Sequence, residues 1–338
     1  MKEFLSIENR RYIGSKSKLA TWIMDVVKNN TDDVHSFCDI FAGTGVVASY
    51  AVPLFDDIIL NDILDSNVVV YNAFMGDGNF DEHKILELLN YYNSLDSDSL
   101  PENYFSHNFG DKYFEKNIAK LAGFIRQDIE DRAKDLTEKE RDILLTTLIY
   151  NLDRHANTVG HFDAYIKKDI QHRDFKLVPI KAESFNKVHI YQKDANELAR
   201  EIVADVVYID PPYNSRQYCD AYHLYENLVQ WEKPQLKGVA LKFTQKDKKS
   251  DYCTNKAVSA FEDLIMHLNA KYIILSYNNM AQKGNGRSNA KMDDSDILSV
   301  MSKRGEVSVF AQKHRAYTTG KSNIKDNQER LFLCKVAK

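Results

Sequence analysis

The spacing of apolar positions changes several times along the chain, and each change marks an element. Residues 16–29, KSKLATWIMDVVKN, repeat apolar side chains every three or four positions, which predicts an amphipathic helix. HSFCDI (35–40) is a short apolar run that predicts a buried strand entering the turn FAGTG (41–45). VVASYAV (46–52) begins a helix, DDIILND (56–62) reads as a second strand, and SNVVVYNAF (66–74) as another helix. Strand, glycine turn, helix and strand open a doubly wound α/β sheet.

From about Gly76 to Lys187 the clear helices follow one another: EHKILELLNYYNSL (82–95), KYFEKNIAKLAGFIRQDIEDRA (112–133) and TEKERDILLTTLIYNLDRHA (137–156). Thr137 and Glu140 have the spacing of a capping box. Strand and helix then alternate again, with KVHIYQKD (187–194), helix ANELAREIV (195–203) and strand ADVVYID (204–210). Three more strand-like runs follow: KYIILSYNN (271–279), EVSVFAQK (306–313) and ERLFLCKV (329–336). The expectation is one α/β domain, residues 1–75 and 188–338, interrupted by a mainly helical domain, 76–187.

Composition adds bounds. With 338 residues and 43% hydrophobic content the chain can bury a sizeable core, and 28% charged residues is an ordinary globular proportion. A net charge of −4 argues against a uniformly basic nucleic-acid coat protein but leaves room for local basic faces. Two runs qualify: KPQLKGVALKFTQKDKK (233–249), with Lys242 and Lys246, and QKHRAYTTGKSNIK (312–325). Each reads either as a solvated loop or as a set of phosphate contacts, and the first is expected to be mobile. No apolar run approaches membrane-spanning length and no secretory signal is visible. Cys38, Cys219, Cys253 and Cys334 are scattered with no CxxC pair, so neither a zinc site nor a disulfide framework is expected, and a reducing cytoplasm is the natural compartment.

The candidate chemistry lies where strands end. In DIFAGTGVVA (39–48), Gly43 and Gly45 permit backbone angles and close approaches that other residues resist. The stretch lacks the full GxGxxG pattern and the lysine of a P-loop, so by itself it also reads as a structural turn. Asp62 ends the next strand 17 residues beyond Gly45, the place of an acid that accepts from ribose hydroxyls. Asp194 follows KVHIYQ, 16 residues before Asp210, and suits either an adenine amino group or the N-cap of the next helix. Asp39, Asp62, Asp194 and Asp210 thus all stand at predicted carboxyl ends of strands, the edge where ligands bind in such sheets.

Asp210-Pro211-Pro212-Tyr213 is the most specific motif. An ionised Asp210 only accepts hydrogen bonds, and the prolines fix φ and offer carbonyls without competing N–H groups. An amine held by the Asp210 carboxylate and the Pro211 carbonyl would expose its lone pair, while Tyr213 offers a flat face to a planar base. The chemistry this suits is activation of an exocyclic amine on an aromatic ring.

Together DPPY, DIFAGTG and RRYIGSKSKL (10–19) resemble the adenine-N6 DNA methyltransferases of the alpha, Dam-like class, in the order cofactor motifs, target-recognition region, catalytic motif. DPPYNSRQYCDAYHLYENLVQWEKP (210–234) is similar to restriction-associated members. The resemblance implies a seven-stranded Rossmann-like sheet that binds S-adenosylmethionine, with no metal, and a helical target-recognition insert. Carried over by position, Tyr12 and Lys16 would help bind the cofactor, with Asp39 at the strand end, and Phe41, Ala42, Gly43, Thr44 and Gly45 would line its methionine end. Asp62 would take the ribose, and Asp194 with the Ala195 N–H the adenine; Asp210 to Tyr213 would hold a flipped target adenine. The family often carries an aromatic where Ala195 stands, so stacking on the cofactor would come from elsewhere. YIILSYNN would form a pocket wall. Arg154, His155, Asn157 and His161 suit DNA contacts, or equally a polar joint between domains. The implied partners are double-stranded DNA and a cognate restriction endonuclease, with no membrane, and a monomer is expected. RNA methylation on the same fold is the alternative. A non-enzymatic specificity subunit is disfavoured by the intact DPPY, and a small-molecule methyltransferase by the large helical block and the basic runs.

Overall fold

The computed structural model describes residues 4–167, 170, 173–278, 290–313 and 328–337. Asn279, Lys168 and the second basic run beyond Lys313 lie outside the described residues.

Seven strands form one mixed sheet: β1 (Ser36–Asp39), β2 (Asp57–Asn61), β3 (Val188–Tyr191), β4 (Val203–Ile209), β5 (Asn269–Asn278), β6 (Gly305–Lys313) and β7 (Gln328–Val336). Their order is β3-β2-β1-β4-β5-β7-β6. The first five are mutually parallel, whereas β7 runs antiparallel to both β5 and β6. This is the expected doubly wound α/β architecture, and every strand run read from the sequence forms a strand.

Among the described residues there are twelve α-helices. They are α1 (Ala20–Asn30), α2 (Val46–Ala51), α3 (Asp65–Phe74), α4 (Glu82–Ser94), α5 (Tyr104–Phe109), α6 (Lys116–Asp131), α7 (Glu138–His155), α8 (Ala195–Leu198), α9 (Tyr218–Ala221), α10 (His223–Gln230), α11 (Ala257–His267) and α12 (Asp294–Met301). α7 starts on the expected capping box of Thr137 and Glu140. The helix expected over 195–203 is one turn long, because the chain must re-enter the sheet at Val203. No helix among the described residues is long and apolar enough to cross a membrane.

The chain folds into two compact units. One holds residues 14–63, 187–218 and 246–338 and contains the whole sheet. Strand alternation there splits the core into two faces. Val207, Ile209, Ile273 and Leu275 pack with Phe261, Leu264 and Ile297 of α11 and α12. On the other face Phe37 meets Phe55 and Tyr208 at centroid distances of 5.2 and 6.4 Å.

The second unit holds residues 1–13, 64–186 and 219–245. Its boundaries are wider than the expected 76–187 block, because α3 and α10 join it. The reason for α3 is physical: it buries Ser66, Asn67, Val69, Val70, Tyr71, Ala73 and Phe74, too much of its circumference for a helix lying on one face. Glu226 of α10, itself buried, caps α3 by accepting from the backbone N–H groups of Asp65 and Ser66 at 3.2 and 2.8 Å. α7 is buried along nearly its entire length and forms the axis of this unit.

Candidate active site at the carboxyl edge of the sheet

The parallel strands bring four acids to one edge. Asp39 closes β1, Asp62 and Asp210 directly follow β2 and β4, and Asp194 follows β3 by three residues. Because β3, β2, β1 and β4 are consecutive neighbours, these residues occupy a continuous rim.

The glycine turn lies on this rim. Gly43 and Gly45 have φ of 54° and 76°, in the left-handed region that glycine adopts without steric cost. Asp62 accepts from the Gly43 N–H at 3.0 Å, and the Ala42 N–H donates to the Asn61 carbonyl at 2.9 Å, so β2 fixes the turn after β1. Thr44 is buried, and Phe41 packs edge-on against Tyr252 at 5.1 Å. Asp194 caps α8 through Oδ1, accepting from Asn196 and Glu197 N–H at 2.9 and 3.3 Å. Both bonds use one oxygen, so capping and ligand binding do not compete for the same atom. Ala195 is buried beneath it.

Asp39 is 1% exposed, and its Oδ1 has no hydrogen-bond partner among the described residues. Burial, then the negative charges of Asp210 and Asp62, hold its carboxyl well above the usual range. A buried, under-satisfied carboxyl of this kind is suited to a cationic ligand.

Around Asp210 the sequence foresaw Lys16 and Tyr213 but not how they meet. Lys16 is 5% exposed. Its Nζ donates to Asp210 Oδ1 at 2.9 Å, stands 2.8 Å from Oδ2, and donates to the Tyr213 hydroxyl at 2.6 Å. The Tyr213 hydroxyl in turn donates to Asp210 Oδ1. Burial opposes the charge on Lys16, but Asp210 and Glu329 outweigh it and raise the ammonium's pKa. Burial likewise raises the Asp210 carboxyl, with Lys16 pulling it down and Glu329 pushing it up. Pro211 is buried and Pro212 half-buried, and the Tyr213 carbonyl is anchored by the Lys291 N–H at 3.0 Å. The Tyr213 ring stands edge-on to Tyr277 of β5 at 4.9 Å, which places the expected wall strand beside it.

Glu329 was not anticipated. It is the second residue of β7 and 4% exposed, and it accepts from Ser276 Oγ at 2.8 Å. The expectation looked for acids at strand ends. β7 is antiparallel, so its beginning lies beside the end of β5, with Glu329 paired to Asn278.

The remaining candidates belong to the helical unit, except Lys246, which opens a 3-10 turn (Lys246–Lys248) in the sheet unit. Tyr12 stacks on Tyr222 at 4.4 Å and accepts from Asn67 Nδ2 at 3.2 Å. Arg154 is exposed, while His155 packs edge-on against Phe175 at 5.2 Å and burial lowers its pKa. Asn157 Nδ2 donates to the carbonyls of Lys112 and Ile166 at 3.0 and 2.9 Å, so it ties its loop to the α5–α6 connection. His161 is buried and accepts from the Asp163 N–H at 3.3 Å. Lys242 pairs with Asp163 at 2.6 Å, and Lys237 and Lys242 close a small turn within the basic run expected to be mobile.

Comparison with known proteins matches residues 12–285 to a family described as D12 class N6 adenine-specific DNA methyltransferase. The modification methylase StsI of Streptococcus sanguinis is 35% identical over 340 residues, covering 94% of this chain and 50% of that protein. The type II methyltransferase M.NlaIII of Neisseria lactamica is 32% identical over 280 residues, covering 79% of this chain and 83% of its own length. The type II methyltransferase M.CviAII of Paramecium bursaria Chlorella virus 1 is 27% identical, covering 95% and 97%. The chain spans about half the length of StsI and of the LlaI methylase of Lactococcus lactis subsp. lactis, 50% and 53% respectively.

Proposed function

Because this chain belongs to the D12 class N6 adenine-specific DNA methyltransferase family, we propose that it methylates the N6 amine of adenine at a specific site in duplex DNA, drawing the methyl from S-adenosylmethionine. The observation that carries this reading is Asp210-Pro211-Pro212-Tyr213 at the end of β4, hydrogen-bonded to Lys16 on the rim that also holds the glycine turn. The family is described as DNA-specific, and the relatives carry the names modification methylase and type II methyltransferase, which favours DNA over RNA. In the same reading the protein is the modification component of a restriction–modification system, with a cognate endonuclease as partner, acting as a cytoplasmic monomer. Its helical unit, centred on the 76–187 block, serves target recognition. There Arg154 offers an exposed charge for phosphate contact, with His155 and Lys242 as further candidates; Lys246 of the sheet unit is another.

The cofactor assignment has a support in the site itself. An orphaned oxygen on buried Asp39 asks for a cationic group, and S-adenosylmethionine carries both an ammonium and a sulfonium. Phe41 to Gly45 and Asp39 would hold its amino-acid end, with Lys16 and Tyr12 assisting. Asp62 would hold the ribose, and Asp194 with Ala195 the adenine. When bound, the cofactor supplies an electrophilic methyl. The chain's own residues prepare the nucleophile. Asp210 and the Pro211 carbonyl accept from the two amine hydrogens and leave the nitrogen lone pair directed outward. Tyr213 offers its ring to the extruded base and so replaces part of the stacking lost from the duplex. Holding both partners in register supplies much of the acceleration.

The test is expression in a host without adenine methylation, followed by single-molecule sequencing of its DNA. Native protein should mark adenine in one short sequence. Asp210→Ala should lose at least about a thousandfold in rate while still binding cofactor. Near-normal methylation by that variant would sink the assignment.

A further inference from the structure

Asp210 must receive an amine hydrogen, yet two internal donors already engage it. Lys16 bridges both carboxylate oxygens at 2.9 and 2.8 Å, and the Tyr213 hydroxyl donates to Oδ1. Both donors have a second acceptor in reach. Glu329 Oε1 lies 3.0 Å from the Tyr213 hydroxyl and 3.4 Å from Lys16 Nζ. A phenol has one hydrogen, so Tyr213 can donate to Asp210 or to Glu329 but not to both. Switching requires only rotation about its C–O bond. Glu329 is a fixed target for that switch, because it sits within a sheet strand and is tied to Ser276 at 2.8 Å.

We propose that Glu329 is a positioning residue for the methyl-accepting amine, taking over the Tyr213 hydroxyl and drawing Lys16 so that Asp210 is presented as an open acceptor. This rests on the adenine-methylation reading above. Charge supports it as well. One ammonium faces two carboxylates, leaving the cluster with a surplus negative charge where the amine becomes cationic. Without Glu329, Lys16 would cancel Asp210 and also keep it covered. In a buried setting that difference falls on the rate rather than on initial DNA binding.

Glu329→Gln, Glu329→Asp and Tyr213→Phe, made in the full chain, test the proposal. Single-turnover methylation of a duplex carrying the mapped site gives the rate, calorimetry the affinity for S-adenosylmethionine, and steady-state kinetics the KM for DNA. Glu329→Gln should slow the chemical step roughly tenfold to a hundredfold, with KM and cofactor affinity nearly unchanged. Glu329→Asp should recover part of the rate. The loss from Glu329→Gln should shrink in a Tyr213→Phe background, because the hydroxyl it redirects is gone. The acid limb of the rate profile should move to lower pH. The groups acting on Asp210 are Lys16, Tyr213, Glu329, Asp39, Tyr208 and Tyr218, and removing the charge of Glu329 alone makes Asp210 easier to ionise. An active wild type whose Glu329→Gln form keeps full rate and an unmoved acid limb overturns this inference alone. So does a rate loss that follows cofactor affinity and leaves the acid limb in place. A wild type that binds S-adenosylmethionine but methylates no adenine overturns the proposed function, and this inference with it.

Discussion

The two units treat buried charge in opposite ways. In the helical unit two buried cations, Arg126 and Lys139, are met by neutral acceptors or by one opposite charge. Arg126 donates to the carbonyls of Leu228 and Val229 at 2.7 and 3.1 Å and to Glu130 at 2.8 Å. Lys139 donates to the carbonyls of Asn72, Gly76 and Glu183, and so ties the end of α3 to a distant loop. At the sheet edge, Asp39, Asp210 and Glu329 share one ammonium, Lys16, and like charge accumulates: Asp210 raises the carboxyl of Asp39, and Glu329 raises that of Asp210. The first arrangement fixes a structure. The second keeps a conflict that an incoming cation or amine can relieve, which is what a reacting site needs.

The most severe way to break this contrast is to remove the ammonium. Lys16→Met should lower methylation by more than about a hundredfold. Among active molecules the acid limb should move up, because Asp210 then faces only like charge. That is the opposite sign to the shift expected from Glu329→Gln, and a shared sign in the two pH profiles would contradict the charge balance drawn here. In the helical unit the matching change is Lys139→Met, which strands buried carbonyls. It should cost about 3 kcal/mol in urea unfolding, with the methylation rate per folded molecule unchanged.

Asp142 sharpens the comparison, because it is the helical unit's own unsettled acid. Burial pushes its carboxyl up to about 6 from an ordinary 3.8. A carboxyl raised by folding binds its proton more tightly in the native state. Its contribution to stability is therefore full below pH ~4 and is lost as pH rises through about 6. The stability difference between Asp142→Asn and wild type should grow across that window to about 2–3 kcal/mol and then level off. Thermal melts at a series of pH values would show a flat difference if Asp142 titrates normally.

The sheet and the rim of acids were legible because each depends on a local pattern. A strand run with an Asp at or shortly after its end marks the carboxyl edge, and Asp39, Asp62, Asp194 and Asp210 all fit it. Glu329 breaks the pattern, since it begins a strand, and only the antiparallel entry of β7 between β5 and β6 brings it to the same edge. Lys16 was readable as a site residue through the RYIGSKSKL motif, but its bond to Asp210 spans 194 positions. The limits of the compact units depend on distant contacts in the same way. α3 looks like a crossover helix of the sheet, and its burial on most sides becomes visible only once α7 and α10 are in place. Asn157 and His161 show the limit from the other direction. Their polarity suggests outward contacts, and it also serves inward ones: Asn157 donates to the carbonyls of Lys112 and Ile166, and His161 accepts from the Asp163 N–H.

The late entry of β7 also sets a schedule. Lys16 and Glu329 are 313 positions apart (329 − 16), and they meet only after β7 has threaded between two strands. At a synthesis rate of ~5–20 residues per second, the interval between their emergence is about 15–60 s. For the last 119 of those positions (329 − 210) a growing chain already holds Lys16 and Asp210 while lacking the second carboxylate. A chain stalled or cut before β7 would retain every recognisable motif and still have an unfinished reaction centre, so ribosome-bound or truncated forms should handle the cofactor before they can transfer its methyl efficiently.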